Sequence, residues 1–160
     1  MSEQVTKVEV GCFGMGGDVA RFFDNLARSV EEGDLEWFSN QFRYPLPLYC
    51  KNKICIQKSA DELLSNLAAF KVRLDTMGAA ELCSETVHSK LSGTSRIAVD
   101  RKAVFMDSSG GALGTLRSRF FLKNPYGHIY IEAWELMEDE DQQPVTDAFK
   151  EAFSSGKSPA

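Results

Sequence analysis

The order of the hydrophobic patterns along the chain constrains its fold more than any other feature of the sequence. Two short amphipathic helical patterns come first, followed by an apolar stretch interrupted by prolines and by one long amphipathic helical pattern. Four strand-like runs then fill most of the second half. Helices followed by consecutive strands predict an α+β domain rather than an alternating α/β domain. The length of 160 residues fits one domain with a substantial core.

Three helices are predicted in the first half of the chain. The first is expected over about residues 19–32, where apolar residues recur at steps of three and four. Asp34 is a suitable N-cap for a shorter second helix. The third helix begins after Ser59, because Ser59-Ala60-Asp61-Glu62 matches a capping box, and Gly78 is expected to end it.

Strands are predicted on both sides of the third helix. Residues 44–50 read YPLPLYC, and the two prolines exclude a helix and favour an edge strand. A turn then leads to a short return strand at 54–56. The four later runs are Glu81–Leu91, Arg96–Asp107, Leu113–Lys123 and His128–Glu138. Short turns between consecutive runs predict antiparallel pairing.

The run Leu113–Lys123 alternates most clearly between two faces. One face carries Leu116, Ser118, Phe120 and Leu122, and the other carries Thr115, Arg117 and Arg119. We expect the first face to lie on a core and the second to face water or an interface.

The two ends of the chain are expected to lie outside the main domain, which is assigned to residues 18–138. Residues 1–17 include the glycine-rich GCFGMGG and are expected to form a flexible arm. Residues 139–160 are expected to hold an acidic linker, a short helix that begins at Pro144 and a disordered tail.

Composition argues against several classes of function. The net charge is −5 and the basic residues are scattered, so we expect no nucleic acid and no membrane among the partners. The four cysteines and two histidines lack zinc or redox-motif spacing, so we expect neither a metal nor another cofactor. The start MSEQVTKVEV is polar, so we expect no signal peptide, and no apolar run approaches the roughly 20 residues that cross a bilayer. These features predict a cytoplasmic protein.

Four stretches carry a resemblance to a known family: FFDNLARSVEEGDLEWF, YPLPLYC, SADELLSNLAAFKVRLDTMG and RFFLKNPYGHIYIEAWEL. In order and spacing they resemble the nuclear-transport-factor-2-like superfamily, which includes the SnoaL-like proteins and ketosteroid isomerase. The resemblance covers about residues 18–138. It implies a cone-shaped, curved and mainly antiparallel mixed sheet around three helices, with an apolar pocket inside. It also implies homodimers formed through the outer face of the sheet.

The resemblance does not assign a function, because the superfamily holds enzymes, ligand binders and interaction domains. Chemistry of the ketosteroid isomerase type is not favoured, since it requires a carboxylate base on the first strand and residues 42–50 contain no Asp or Glu. Chemistry of the dehydratase or cyclase type requires a histidine with a carboxylate or a tyrosine inside the cone. The acid/base candidates are therefore His88, Glu132 and Asp100, with Tyr44 as a hydrogen-bond donor.

Glu132 allows two interpretations. By alternation it shares a face with Tyr130 and Trp134. That face is either the solvated outer face, which we favour, or part of the pocket, where Arg119 or Tyr44 could pair with the carboxylate. Five aromatic residues are candidates for the pocket lining, with ordinary core packing as the alternative: Trp37, Tyr44, Tyr49, Tyr130 and Trp134.

The leading hypothesis is a SnoaL-like protein that binds a small, largely apolar molecule in an internal pocket. Acid/base chemistry of the isomerase, dehydratase or cyclase type is an extension of it. The alternative is a non-catalytic dimeric protein-interaction domain. That alternative is favoured if Ile129 and Ile131 are exposed on the sheet and side chains fill the cone. A homodimer is expected in both cases.

Overall fold

The computed structural model describes residues 16–51, 53–91, 96–124, 127–138 and 144–155. Most of the expected N-terminal arm, at 1–15, lies outside these residues. So do the acidic stretch at 139–143 and the tail at 156–160.

The described part of the chain holds four helices and six strands. The helices are α1 (Gly16–Glu32), α2 (Leu35–Ser39), α3 (Ala60–Met77) and α4 (Pro144–Ser155). The strands are β1 (Leu46–Cys50), β2 (Lys53–Gln57), β3 (Ala79–Leu91), β4 (Arg96–Asp107), β5 (Ala112–Lys123) and β6 (Tyr130–Met137). The predicted α+β class is confirmed. None of these helices is both long enough and apolar enough to cross a membrane.

The strands form one mixed sheet in the order β2-β1-β6-β5-β4-β3. All neighbouring pairs are antiparallel except β1 and β6, which are parallel, so the predicted mainly antiparallel sheet is confirmed. The prediction of β1 as an edge strand is wrong, because β2 covers one side of it and β6 the other. The residues of β1 that pair with β6 are Leu48 and Tyr49. Both prolines come before them in the chain, so neither proline removes a hydrogen-bond donor from the pairing of β1 with β6.

The boundaries of α3 follow from local chemistry. The Ser59 hydroxyl accepts a hydrogen bond from the Glu62 backbone N–H at 3.2 Å. In return, Glu62 Oε1 accepts a hydrogen bond from the Lys58 backbone N–H at 2.7 Å. The predicted capping box therefore forms, but its second hydrogen bond comes from the residue before Ser59. Gly78 ends the helix with a φ of 93°, a conformation that favours glycine.

The core lies between the inner face of the sheet and the helices. Helix α4, predicted to start at Pro144, buries Val145, Phe149 and Phe153 almost completely. The Phe149 and Phe153 rings stack with centroids 4.4 Å apart, and Phe149 also lies 5.3 Å from the Trp134 ring. These aromatic contacts fix α4 against the centre of the sheet.

A register shift corrects the predicted facing of β6. Phe121 pairs with Ala133, but the next residue, Leu122, pairs with Ile131, so Glu132 is an extra residue in its strand. The prediction that Tyr130, Glu132 and Trp134 share one face is therefore wrong, because strict alternation fails at a bulge.

The two isoleucines whose exposure on the sheet would favour an interaction domain are not exposed. Ile131 is fully buried, and Ile129 is partly buried against the core. Exposed apolar residues of the outer sheet face include Tyr49, Ile54 and Ile56 on the β1–β2 hairpin.

Candidate functional site

A cavity of about 770 Å³ lies between the inner face of the sheet and the helices. All four described helices contribute to its lining, as do strands β3 to β6. Seven aromatic side chains line it: Phe23, Phe38, Phe70, Phe105, Phe120, Trp134 and Phe149. This volume falls within the range of roughly 300–1,000 Å³ that small-molecule sites occupy.

The apolar lining follows from the periodicity of the elements around it. Leu116 and Phe120 occupy alternate positions of β5 and turn to the inner face, as predicted for that run. Phe70 and Leu74 are four residues apart on α3 and therefore lie on one helix face. The cavity thus lies where the inner face of the sheet and the apolar stripe of the helix meet.

Charged lining residues mark the mouth of the cavity. Glu31 and Glu32 at the end of α1, Lys71 and Asp75 on α3, and Glu81 on β3 line it and are exposed to solvent. The Lys71 ammonium group lies 3.3 Å from a carboxylate oxygen of Asp75, one turn further along α3. Water screens these charges, so they act weakly on the interior.

Arg101 supplies the one guanidinium group among the described residues that line the cavity. Its Nη1 donates to Thr86 Oγ1 at 2.8 Å and its Nη2 donates to Ser84 Oγ at 3.0 Å. The guanidinium carbon also lies 4.7 Å from the centroid of the Phe23 ring. Strand β3 and helix α1 therefore hold this side chain in place.

The electrostatic surroundings of Arg101 are unusual. Burial lowers the pKa of Arg101 to about 10, although the more distant carboxylates of Asp24 and Glu85 act to raise it. The guanidinium group is therefore cationic at neutral pH. It forms no ion pair with a carboxylate in the described parts of the chain.

Ser118 adds a hydroxyl group beside this arginine. It is the cross-strand partner of Arg101, lines the cavity and is 4% exposed. Its Oγ accepts a hydrogen bond from Trp134 Nε1 at 2.9 Å, which leaves the hydroxyl proton to be donated elsewhere.

The four acid/base candidates do not line the cavity. His88 is exposed on β3 and is the register partner of Asp100. The Asp100 carboxylate is held by Arg119, with Nε–Oδ1 and Nη2–Oδ2 distances of 2.6 and 3.1 Å. The structure therefore brings His88 and Asp100 to neighbouring positions, but away from the cavity.

Glu132 and Tyr44 also have partners elsewhere. Glu132 Oε2 accepts from Arg96 Nε at 2.6 Å, rather than pairing with Arg119 or Tyr44. The Tyr44 hydroxyl donates to the Ser39 carbonyl, and burial raises the pKa of Tyr44 well above its ordinary value. Tyr44 therefore remains protonated in the neutral range.

Of the five aromatic candidates for the pocket, Trp134 lines the cavity and the other four do not. Trp37 and Tyr49 are exposed by 36% and 39%. Tyr130 lies under the Arg43 guanidinium group, 4.9 Å from its carbon. Across the described residues, no group of three or more His, Cys, Asp or Glu side chains is arranged to hold a metal ion.

The sequence interpretation missed Arg101, although a signal for it was present. Inner-face positions of β4 follow a period of two: Ile97, Val99, Arg101, Ala103 and Phe105. An arginine within an otherwise apolar face has to find polar partners or a cavity.

Comparisons with solved structures show similar folds at low sequence identity. An NTF-2 like protein of unknown function from Shewanella oneidensis is 15% identical, with a TM-score of 0.58 over 76% of this chain and 98% of that one. ActVI-ORFA from Streptomyces coelicolor is 12% identical, with a TM-score of 0.64 over 81% and 98%. A protein from Catenulispora acidiphila in complex with S-DNPA is 12% identical, with a TM-score of 0.59 over 77% and 93%. No protein-family model and no curated protein matches the sequence.

Proposed function

We propose that this chain, which has the nuclear-transport-factor-2-like cone fold predicted from its sequence, binds a small, largely apolar molecule in its cavity. The observation that carries the proposal is the aromatic and aliphatic lining of about 770 Å³ of space inside the fold. Apolar surface of this kind favours ligands that remove it from water. The bound S-DNPA in the Catenulispora protein supports a ligand role for a fold of this type.

The proposal concerns binding and assigns no reaction. Glu132, Asp100 and Tyr44 bond to partners outside the cavity, His88 is exposed, and the described lining contains no histidine. A positioned acid or base must reach the substrate within hydrogen-bond distance. Binding is therefore the function that the geometry of the lining supports best.

The test is a fluorescence titration with N-phenyl-1-naphthylamine, a neutral apolar dye that brightens in apolar surroundings. We expect saturable binding to the wild-type protein. Ala103 lines the cavity, so Ala103→Phe fills part of it and should weaken the affinity at least about ten-fold. Val104→Phe is the matched control, because Val104 is the next residue and is not among the lining residues.

Thermal unfolding should show that both variants fold. Leu116→Phe provides a second way to fill the cavity if Ala103→Phe does not fold. The proposal fails if the dye does not bind, or if folded cavity-filling variants bind it as well as the wild type does.

We also propose that two copies of the chain associate through the outer face of the sheet. Tyr49, Ile54 and Ile56 expose 39%, 57% and 46% of their surface on the β1–β2 hairpin. The antiparallel pairing of β1 with β2 places these three side chains on the same face of the hairpin. Adjacent apolar side chains on a sheet favour contact with a second surface.

Sedimentation measurements test this association. The double substitution Ile54→Glu and Ile56→Glu should convert a dimer into a monomer, because it introduces charge into the contact. Val72→Glu is the control, since Val72 is 64% exposed on α3, away from the sheet. A monomeric wild-type protein, or a dimer that tolerates the double substitution, contradicts this proposal.

A further inference from the structure

We propose that the ligand of this cavity carries a carboxylate or a similar anionic group that binds the guanidinium group of Arg101. The inference rests on the proposed function, because it takes the cavity to be a ligand site. It narrows the ligand from an apolar molecule to an amphipathic organic acid, with an apolar body and one anionic end.

The first observation is that the hydrogen-bonding capacity of Arg101 is only partly used. A guanidinium group carries five N–H donors. Thr86 Oγ1 and Ser84 Oγ accept two hydrogen bonds from it, and no other acceptor among the described residues does so. A planar guanidinium group with free donors can bind both oxygens of a carboxylate.

The second observation is that Arg101 lacks a carboxylate partner, whereas two arginines outside the cavity lining have one. Arg96 and Arg119 each have a carboxylate oxygen at 2.6 Å, from Glu132 and Asp100. Removing a cation from water without a paired anion is unfavourable. An anionic ligand group would supply the paired anion, and the partial burial of Arg101 would strengthen their attraction.

The third observation is the nature of the other polar groups inside the cavity. Ser84 and Ser118 line it near Arg101, and their hydroxyl groups can donate to an additional oxygen. The lining carboxylates are exposed at the mouth instead. The interior therefore offers donors at one place and aromatic surface elsewhere, which fits an anion attached to an apolar body.

The experiment compares 1-naphthaleneacetate with 1-naphthaleneacetamide, two ligands of nearly the same shape that differ in charge. Each is titrated at pH 7 against protein loaded with N-phenyl-1-naphthylamine, and dye displacement gives its affinity. We expect the carboxylate to bind at least about ten-fold more tightly than the amide.

The ratio of the two affinities is then measured in variants. Arg101→Met keeps an unbranched apolar stem but removes the charge, so the ratio should fall to about one. Arg101→Lys keeps the positive charge but lacks the planar guanidinium group, so it should retain part of the preference for the carboxylate. Arg119→Met removes an arginine outside the cavity lining and should leave the ratio as in the wild type.

Each outcome separates the inference from the proposed function. If the dye binds and the wild-type protein does not prefer the carboxylate, the anion inference is overturned and the apolar site stands. A preference that folded Arg101→Met retains also overturns it, because another group then binds the anion. If the dye does not bind at all, the proposed function itself fails. If Arg101→Met does not fold, the ratio in Arg101→Lys replaces it: an undiminished preference for the carboxylate overturns the inference, and a reduced one supports it.

Discussion

Glu138 joins three parts of the molecule through one carboxylate group. It follows the end of β6, and its Oε1 accepts a hydrogen bond from Lys150 Nζ of α4 at 2.8 Å. Its Oε2 accepts one from the Lys51 backbone N–H at 3.0 Å, in the turn between β1 and β2. Burial acts to raise the pKa of Glu138, but these hydrogen bonds outweigh it, so the pKa lies below its ordinary value.

This lowered pKa predicts how stability depends on pH. The stabilising contribution is fully present above the unfolded-state pKa of about 4.3, and it is lost as pH falls through the folded-state value. Glu138→Gln should therefore lower the free energy of unfolding by about 1–2 kcal/mol at pH 7 and by much less at pH 3. Urea unfolding at both values measures the difference.

Glu81→Gln is the matched control for this prediction, because Glu81 is exposed on β3. It should change stability by less than about 0.5 kcal/mol at either pH. An effect of Glu138→Gln that is equal at pH 7 and pH 3 would contradict the assigned role of the carboxylate.

At the scale of elements, the contact between β5 and α4 depends on the absence of a side chain. A Cβ atom on Gly114 would lie 2.9 Å from Val145 Cγ2 and 3.2 Å from Val145 Cβ. Thr146 Oγ1 also donates to the Thr115 carbonyl at 3.2 Å, so two successive residues at the start of α4 contact successive residues of β5. Because α4 lies this close to β5, the Phe149 ring can contact the Trp134 ring.

Gly114→Ala should therefore destabilise the protein by about 1–3 kcal/mol, the usual effect of overpacking. Gly17→Ala is the control, because a Cβ atom there meets nothing within 4 Å. Adding Val145→Ala to Gly114→Ala should cost less than the sum of the two single effects, since the shared clash is relieved. Thermal and urea unfolding of the four variants measure this coupling. Additive effects, or a neutral Gly114→Ala, would contradict the close contact.

At the scale of the whole molecule, the fold could be predicted because its signals are local. The capping residue Ser59 and the glycine at position 78 define α3 in the structure as they do in the sequence. The bounds of β4 agree with the predicted run Arg96–Asp107. Caps, turns and hydrophobic periods depend on neighbouring residues, which a sequence displays directly.

The candidate site could not be predicted as well, because it depends on bulges and long-range contacts. The register shift at Glu132 breaks the alternation on which its facing was predicted, and a second shift lies beside His88. Arg101 could be placed on the inner face from the period of β4. Its lack of a carboxylate partner depends on α1, β3 and β5 together, and no local pattern contains that information.

A crystal structure of the protein with bound 1-naphthaleneacetate tests the central claim most directly. The account predicts density for the naphthalene ring among the aromatic side chains of the cavity. It also predicts that the carboxylate lies within hydrogen-bond distance of the Arg101 guanidinium group. A cavity without ligand at saturating concentration, or a ligand bound only to the outer face of the sheet, would contradict the account.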